Sequence, residues 1–328
     1  MKNRMSICRK LLSSAIVMAV ALALGGCAQQ SNAATPDKTN APVSYNQQNY
    51  QVERSGIKLH VDCTQAQDVT PQGDILLIHG VTYASHEFDV DYEDYSLVRF
   101  LAQNGWRVWR FDVAGFGQSD EVVDGFLPST DYAADDAYTV AQLIMSQEGV
   151  SQIDVLGWSW GTCIATNLEQ DHPDIIKKMI LYAPIMSGLG TTDSVEPFHH
   201  NDWEHAASDF QLDASGQIDY NIADPVVVAT LCSNSWRYDG ESSPNGGRRD
   251  LLVSEDTILI HPDKVTTPTL VICGDHDPYL NMTLVEDSIK SLPTGSQLVV
   301  IQGGSHCLFI EKPYHQQFQE DVLAFLKS

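Results

Sequence analysis

Basic residues are scarce: 19 Lys and Arg stand against 43 Asp and Glu, for a formal charge of −24 at pH 7. That imbalance repels phosphate backbones and other anionic surfaces, which excludes nucleic acid as a partner; its blander consequence is solubility. The seven cysteines include no C-x-x-C pair, and no His/Cys cluster has zinc-like spacing. No Gly-rich phosphate loop follows a strand-like run, so neither a metal nor a nucleotide cofactor is expected. The apolar run Leu11–Leu24 is too short to serve as a comfortable membrane span.

What that run does fit is an export signal, because Lys2, Arg4, Arg9 and Lys10 precede it. The junction Leu24-Gly25-Gly26-Cys27 resembles the bacterial lipoprotein cleavage box, with Gly25 its less usual member. The expectation is removal of residues 1–26 and lipidation at Cys27, giving an exported, envelope-located protein that meets the membrane only through its N-terminal lipid. The plainer alternative is an ordinary cleaved signal with an incidental cysteine. Residues 27–48, rich in Ala, Asn, Gln, Thr and Pro, read as a flexible tether. Loss of residues 1–26, which carry four basic and no acidic residues, leaves 15 basic against 43 acidic and a charge of −28.

Cysteines 63, 163, 232, 273 and 307 follow Cys27, and their odd number requires a free thiol or a pairing between chains. Cys163 and Cys273 fall in expected core elements and read as small apolar residues. About 300 residues remain after the leader, near the upper end for a single core.

The most informative segment is Gly157-Trp158-Ser159-Trp160-Gly161, between the apolar run Ile153–Leu156 and a helical stretch from Thr162 to Gln170. A strand that turns abruptly into a helix strains the corner residue, and glycines two positions before and after relieve the crowding. Ser159 is therefore the candidate nucleophile. A serine hydroxyl needs a histidine to take its proton and a carboxylate to orient that histidine. Both occur downstream after strand-like runs: Gly274-Asp275-His276-Asp277 follows Thr269–Cys273, and Gly303-Gly304-Ser305-His306 follows Gln297–Ile301. His306 is the candidate base and Asp277 the candidate acid, with Asp275 as fallback. Cys307 sits outside the elbow and is not taken as the nucleophile. The oxyanion would be held by the amides of Trp160 and of Val81, which follows the run Asp74–Ile78 and His79-Gly80. His79 reads as a residue that orients this loop.

Together, His79-Gly80, the stretch Asp112–Ser119, Gly157–Gly161, Gly274–Asp277 and Gly303–His306 resemble the α/β-hydrolase family over nearly all of residues 49–328. The resemblance implies a serine nucleophile, an oxyanion hole and often a movable cap, with roles at Ser159, Asp277, His306, Val81 and Trp160. It implies no substrate. The tryptophan after the serine is similar to the elbow of proline iminopeptidases, whereas the Asp112 loop lacks the cysteine usual in that group.

The coarse pattern agrees. A hairpin is expected over Tyr50–Val61 with Ser55-Gly56 as its turn. Strands are expected at Ile75–Ile78, Val108–Phe111, Ile153–Leu156, Met179–Tyr182, Leu270–Cys273 and Leu298–Ile301. Helices are expected over Tyr95–Gln103, Tyr132–Ser146, Thr162–Gln170, Leu284–Ser291 and Tyr314–Leu326. This alternation predicts an α/β fold, a mostly parallel sheet with helices on both faces, the core formed by residues 49–186 and 261–328. Residues 187–260 are too long for a plain connection and read as an inserted cap. Tyr83, Trp158, Trp203 and Trp236 are the candidate substrate-binding residues. Gly240–Gly247 reads as a mobile loop or hinge, and His199, His200 and His205 as solvated loop residues rather than a metal site.

The function these residues favour is hydrolysis of a carboxylic ester of a small to medium, largely apolar substrate through an acyl-enzyme. The alternatives are an aminopeptidase with a cap carboxylate such as Glu196 or Glu204 facing the substrate amine, and a lipid-anchored binding protein that has lost catalysis.

Overall fold

The computed structural model describes residues 43–207 and 209–328, except for the side chain of Glu204. The expected signal, Cys27 and the tether up to residue 42 lie outside the described residues.

The chain enters through a hairpin, β1 (Tyr45–Arg54) and β2 (Ile57–Ala66), longer at both ends than the pattern of apolar residues suggested. Ser55 and Gly56 both take positive φ, 53° and 82°, as a two-residue hairpin turn requires. Strands β3 (Gly73–Ile78), β4 (Trp106–Phe111), β5 (Ile153–Trp158) and β6 (Ile176–Tyr182) follow. Two short strands come next, β7 (Phe198–His200) and β8 (Ser242–Pro244), and then β9 (Thr269–Gly274) and β10 (Gln297–Ile301). Eight of them form one sheet in the order β1-β2-β4-β3-β5-β6-β9-β10, while β7 and β8 pair by themselves. The β1/β2 and β2/β4 pairings are antiparallel, and every later pairing in the large sheet is parallel.

Central strands covered on both faces become unbroken apolar runs, which is why Ile75–Ile78 and Ile153–Leu156 are readable as strands. Alternate side chains serve opposite layers. Leu76, Ile78 and Val155 pack with α2 (Thr130–Glu148) and α3 (Trp160–Asp171). Ile75, Leu77 and Leu156 pack on the other face with α1 (Leu97–Gln103) and α8 (His315–Lys327). Helix α2 starts at Ser129, whose hydroxyl accepts from the Tyr132 amide at 3.2 Å, and stops at Gly149 with φ 67°.

Between β6 and β9 the chain forms α4 (Trp203–Ala207), α5 (Pro225–Tyr238) and α6 (Gly246–Leu251); α7 (Met282–Ser288) follows β9. Of the glycines in residues 240–247, Gly240 is open, with φ 65° and nothing within 4 Å of an added Cβ, whereas Gly246 and Gly247 are closely packed. A Cβ on Gly247 would lie 2.3 Å from the Trp160 ring, and one on Gly246 would lie 2.4 Å from the Pro128 carbonyl. Gly247 is small so that α6 can press on the start of α3, and Gly246 so that the same helix can approach the segment before α2. Among the described residues no helix is long and apolar enough to cross a membrane.

Candidate active site

Strand β5 ends where α3 begins, and Ser159 occupies the corner with φ 55° and ψ −120°. Only backbone-to-backbone contact allows so sharp a turn: a Cβ on Gly157 would meet the Gly161 carbonyl at 2.1 Å, and one on Gly161 would meet the Ile78 carbonyl at 2.3 Å. Both glycines are thus required by space. The Ser159 amide donates to the Tyr182 carbonyl at 3.0 Å, and its carbonyl accepts from the Thr162 amide at 2.9 Å, which fixes the corner from two sides.

The loop after β3 lies directly beside this corner, since a Cβ on Gly80 would be 3.6 Å from that of Ser159. His79, wholly buried, bridges two loops: its Nδ1 bonds the Gly80 carbonyl at 2.8 Å and its Nε2 accepts from the Val113 amide at 3.1 Å. Burial lowers its pKa, consistent with the neutral ring these bonds need. The Gly80 amide is taken by Glu87 Oε1 at 3.4 Å. Trp160 is the first residue of α3, so its amide has no acceptor within the helix. Val81 follows Gly80 on the cavity wall.

His306 and Asp277 arrive from the loops after β10 and β9. The His306 Nδ1–H donates to Asp277 Oδ2 at 2.7 Å, and the Asp277 carboxylate has no exposed surface. Its other oxygen accepts from the Tyr279 amide at 2.9 Å. The His306 carbonyl receives the Trp158 indole N–H at 3.1 Å and the Tyr182 hydroxyl at 2.8 Å, so the imidazole stands on a clamped backbone. With Nδ1 engaged, Nε2 is the nitrogen left for chemistry. Asp275, the fallback acid, is exposed and turned elsewhere: its Oδ1 accepts from the Gly303 amide at 2.6 Å. It braces the loop that carries His306.

Ser159 and His306 line one cavity of about 320 Å³. Trp158, Ile185, Leu189, Leu251, Leu252 and Pro278 give it an apolar side. Thr82, Tyr83, Glu87, His205, Asp209 and Arg248 give it a polar one. Burial raises Glu87 well above the usual carboxyl range, and raises Asp209 to about 7 against the opposing pull of His306 and Arg248. His199 is pushed down to about 4 and His205 is lowered, by burial first and by Arg248 second.

Of the expected substrate-binding residues, Tyr83 and Trp158 line the cavity. Trp203 and Trp236 do not: they are 54% and 46% exposed, because α4 and α5 turn other residues inward. Helix α5 buries Val227, Val228, Leu231, Cys232 and Ser235, a spacing that already marks its inner face. His199 and His205 are half-buried rather than solvated, and His205 reaches the cavity. Glu196 is exposed and away from the cavity, while the Glu204 side chain lies outside the described residues. The five described cysteines are free thiols, all buried, and burial pushes that of Cys307 well above its ordinary pKa. Among the described residues no group of His, Cys, Asp and Glu is placed to hold a metal. Arg248 and Asp209, in the insertion, and Thr82 and Glu87, in the segment after β3, carry no sequence signal, because lone polar residues outside long regular elements show no periodicity.

Residues 69–313 match the family described as Hydrolase_4: Serine aminopeptidase, S33. The chain belongs to this family of α/β-hydrolases. It is 24% identical over 297 residues to the AB hydrolase superfamily protein YfhM of Bacillus subtilis, covering 84% of this chain and 97% of that protein. It is also 24% identical over 184 residues to the pimeloyl-[acyl-carrier protein] methyl ester esterase of Vibrio vulnificus, covering 52% and 68%. The bromoperoxidase of Bacillus anthracis shares the fold, with a TM-score of 0.61 at 19% identity over 86% of this chain and 100% of that one. Names this varied on one fold leave the reaction to be argued from the site.

Proposed function

We propose that the protein is a serine hydrolase that cleaves carboxylic esters of small to medium size through an acyl-enzyme. The observation that carries this reading is the short His306–Asp277 hydrogen bond at the wall of the cavity into which the strained Ser159 projects. In this scheme Asp277 holds the His306 ring so that Nε2 faces the serine, and Nε2 takes the Oγ proton as Oγ attacks the carbonyl. The tetrahedral oxyanion is met by the Val81 and Trp160 amides, the latter at the positive end of α3. His306 then protonates the leaving alcohol, and a water activated by the same nitrogen releases the acid. The Vibrio vulnificus relative, named as a methyl ester esterase, supports the ester bond as the target.

Wild-type protein is expected to turn over short nitrophenyl esters and to label with a fluorophosphonate. Ser159→Ala should lose at least about 10⁴-fold in kcat while keeping its thermal transition. Retained turnover in that variant would reject the assignment, and failure of the wild type to label would favour the inactive binding protein.

One observation favours a second reading, aminopeptidase action: the carboxyl of Asp209 faces the cavity in place of the expected Glu196. Rates on aminoacyl anilides that exceed those on simple esters would select it. We further propose, on the cleavage box alone, that Cys27 is lipidated; palmitate incorporation that survives Cys27→Ala would refute this.

A further inference from the structure

The cavity beside Ser159 contains a cation that no mechanism above uses. Arg248, on α6, lines that cavity, and its guanidinium is held by two side chains: Nε donates to Asn245 Oδ1 at 3.0 Å and Nη2 donates to Thr82 Oγ1 at 3.0 Å. Asn245 is fixed in turn, its amide nitrogen bonded to the Gly125 and Pro197 carbonyls at 2.9 and 3.0 Å. The remaining guanidinium N–H groups have no protein acceptor among the described residues. No carboxylate of a described residue lies within 4.0 Å of them.

A partly desolvated charge without a counter-ion is costly, and folds avoid it unless something else supplies the partner. The neighbours do not. Tyr83, Tyr279 and Thr82 are uncharged, and His199 and His205 are held neutral by burial and by Arg248 itself. Asp209 acts on Arg248 from beyond ion-pairing distance and is largely protonated below neutral pH. Independently of the arginine, the hydroxyl of Tyr83, a residue 2% exposed that lines the same cavity, is buried and finds no hydrogen-bond partner among the described residues. An unfilled donor fork and an orphaned hydroxyl on one cavity wall are what an acceptor-rich ligand group would complete.

We propose that the substrate carries a carboxylate, bound by the free edge of Arg248 with help from the Tyr83 hydroxyl while its ester lies at Ser159. The inference rests on the serine-hydrolase reading and narrows its substrate to acidic esters, such as half-esters of dicarboxylic acids. A planar guanidinium suits a carboxylate because two parallel N–H···O bonds form at once. The local site must also overcome the acidity of the whole molecule, since a formal charge of −24 repels anions at long range.

The test compares matched acid and amide substrates. The nitrophenyl monoester of glutaric acid is set against the nitrophenyl ester of glutaramic acid, and acetylglycolate against its amide, so that the carboxylate is offered on the acyl and the alcohol side. Wild-type kcat/KM is expected to favour the acid over the amide by about 10-fold or more in at least one pair, the worth of a good charged hydrogen bond. Arg248→Met should erase that ratio, and Arg248→Lys, which keeps the charge and guards against misfolding of the first variant, should restore part of it. A merely structural tie between α6 and the Thr82 loop would lower both members of a pair alike and leave the ratio at its wild-type value. That result, or no acid preference in either pair, overturns the proposal. Should no ester be turned over at all, the hydrolase reading fails by itself, and calorimetric titration of the wild-type protein with glutarate decides the subsite separately. Binding weakened 10-fold or more in Arg248→Met supports it, and equal binding in both proteins refutes it.

Discussion

Two regions meet at the cavity and hold their side chains by different means. At the carboxyl ends of β5, β9 and β10 the position of each reactive group is set by backbone against backbone. A Cβ at Gly157 would sit 2.1 Å from the Gly161 carbonyl, and one at Gly274 would sit 2.0 Å from the Gly304 carbonyl. The loops after β9 and β10 are also laced together, the His276 amide donating to the Gly304 carbonyl at 3.0 Å. In the segment between β6 and β9, by contrast, Arg248 is placed by hydrogen bonds between side chains, and Leu212, Tyr220, Trp203 and Trp236 remain about half exposed. The first region therefore has one geometry available to it, whereas the second is open to revision by substitution. Chemistry is assigned to the rigid part, and substrate choice to the adjustable part.

The contrast between the two regions predicts its largest effect at the acid. Asp277→Asn should cost about 10³- to 10⁴-fold in kcat on a nitrophenyl ester, because the amide can no longer hold the His306 tautomer that leaves Nε2 free. Asp275→Asn, which only loosens the brace to Gly303, should cost less than about 10-fold. If the two losses were equal or reversed, the division between an orienting carboxylate and a bracing one would be wrong.

A smaller effect separates backbone packing from chemistry. Gly157→Ala forces a methyl group into the Gly161 carbonyl, and we expect it to lower unfolding free energy by about 1–3 kcal/mol, measured by urea denaturation, with loss of turnover alongside. A methyl group accepted without either penalty would mean that the elbow is looser than its contacts indicate.

The smallest effect belongs to the adjustable region. Burial raises the folded-state pKa of Asp209 to about 7, above its unfolded value. Its contribution to stability is therefore fully present below the unfolded pKa, near 4, and is lost as pH rises through about 7. Moving from pH 5 to pH 8 should thus destabilise the wild-type protein more than Asp209→Asn, by an amount read from paired urea midpoints. Parallel losses in the two proteins would show that this carboxyl ionises freely.

Much of the rigid region was legible from residues alone. Parallel strands buried on both faces leave uninterrupted apolar runs, so the expected strands match β3, β4, β5, β6, β9 and β10 to within a few residues. Helix α2 was expected from Tyr132, whereas its Ser129 cap starts it at Thr130. The hairpin exceeds its apolar pattern because β1 is polar and largely exposed, so its first half shows little alternation. The elbow and the Asp and His loops were readable because their small residues are sterically required and sit at strand ends. Trp203 lies on a five-residue helix too short to show a face by periodicity, whereas on α5 the spacing of Val227, Val228, Leu231 and Cys232 marks an inner face that leaves Trp236 outside.

By itself the sequence determined the order of strands and helices, the corner at Ser159 and the segments that carry Asp277 and His306, since each depends on local sterics and on apolar periodicity. Tertiary structure alone decided which of Asp275 and Asp277 reaches the imidazole, since two residues of one loop point to different neighbours. It also decided that Arg248, Asp209 and Tyr83, separated by much of the chain, share one wall beside the serine. Arg248 comes there through the packing of α6 against the start of α3, a long-range contact with no local signature.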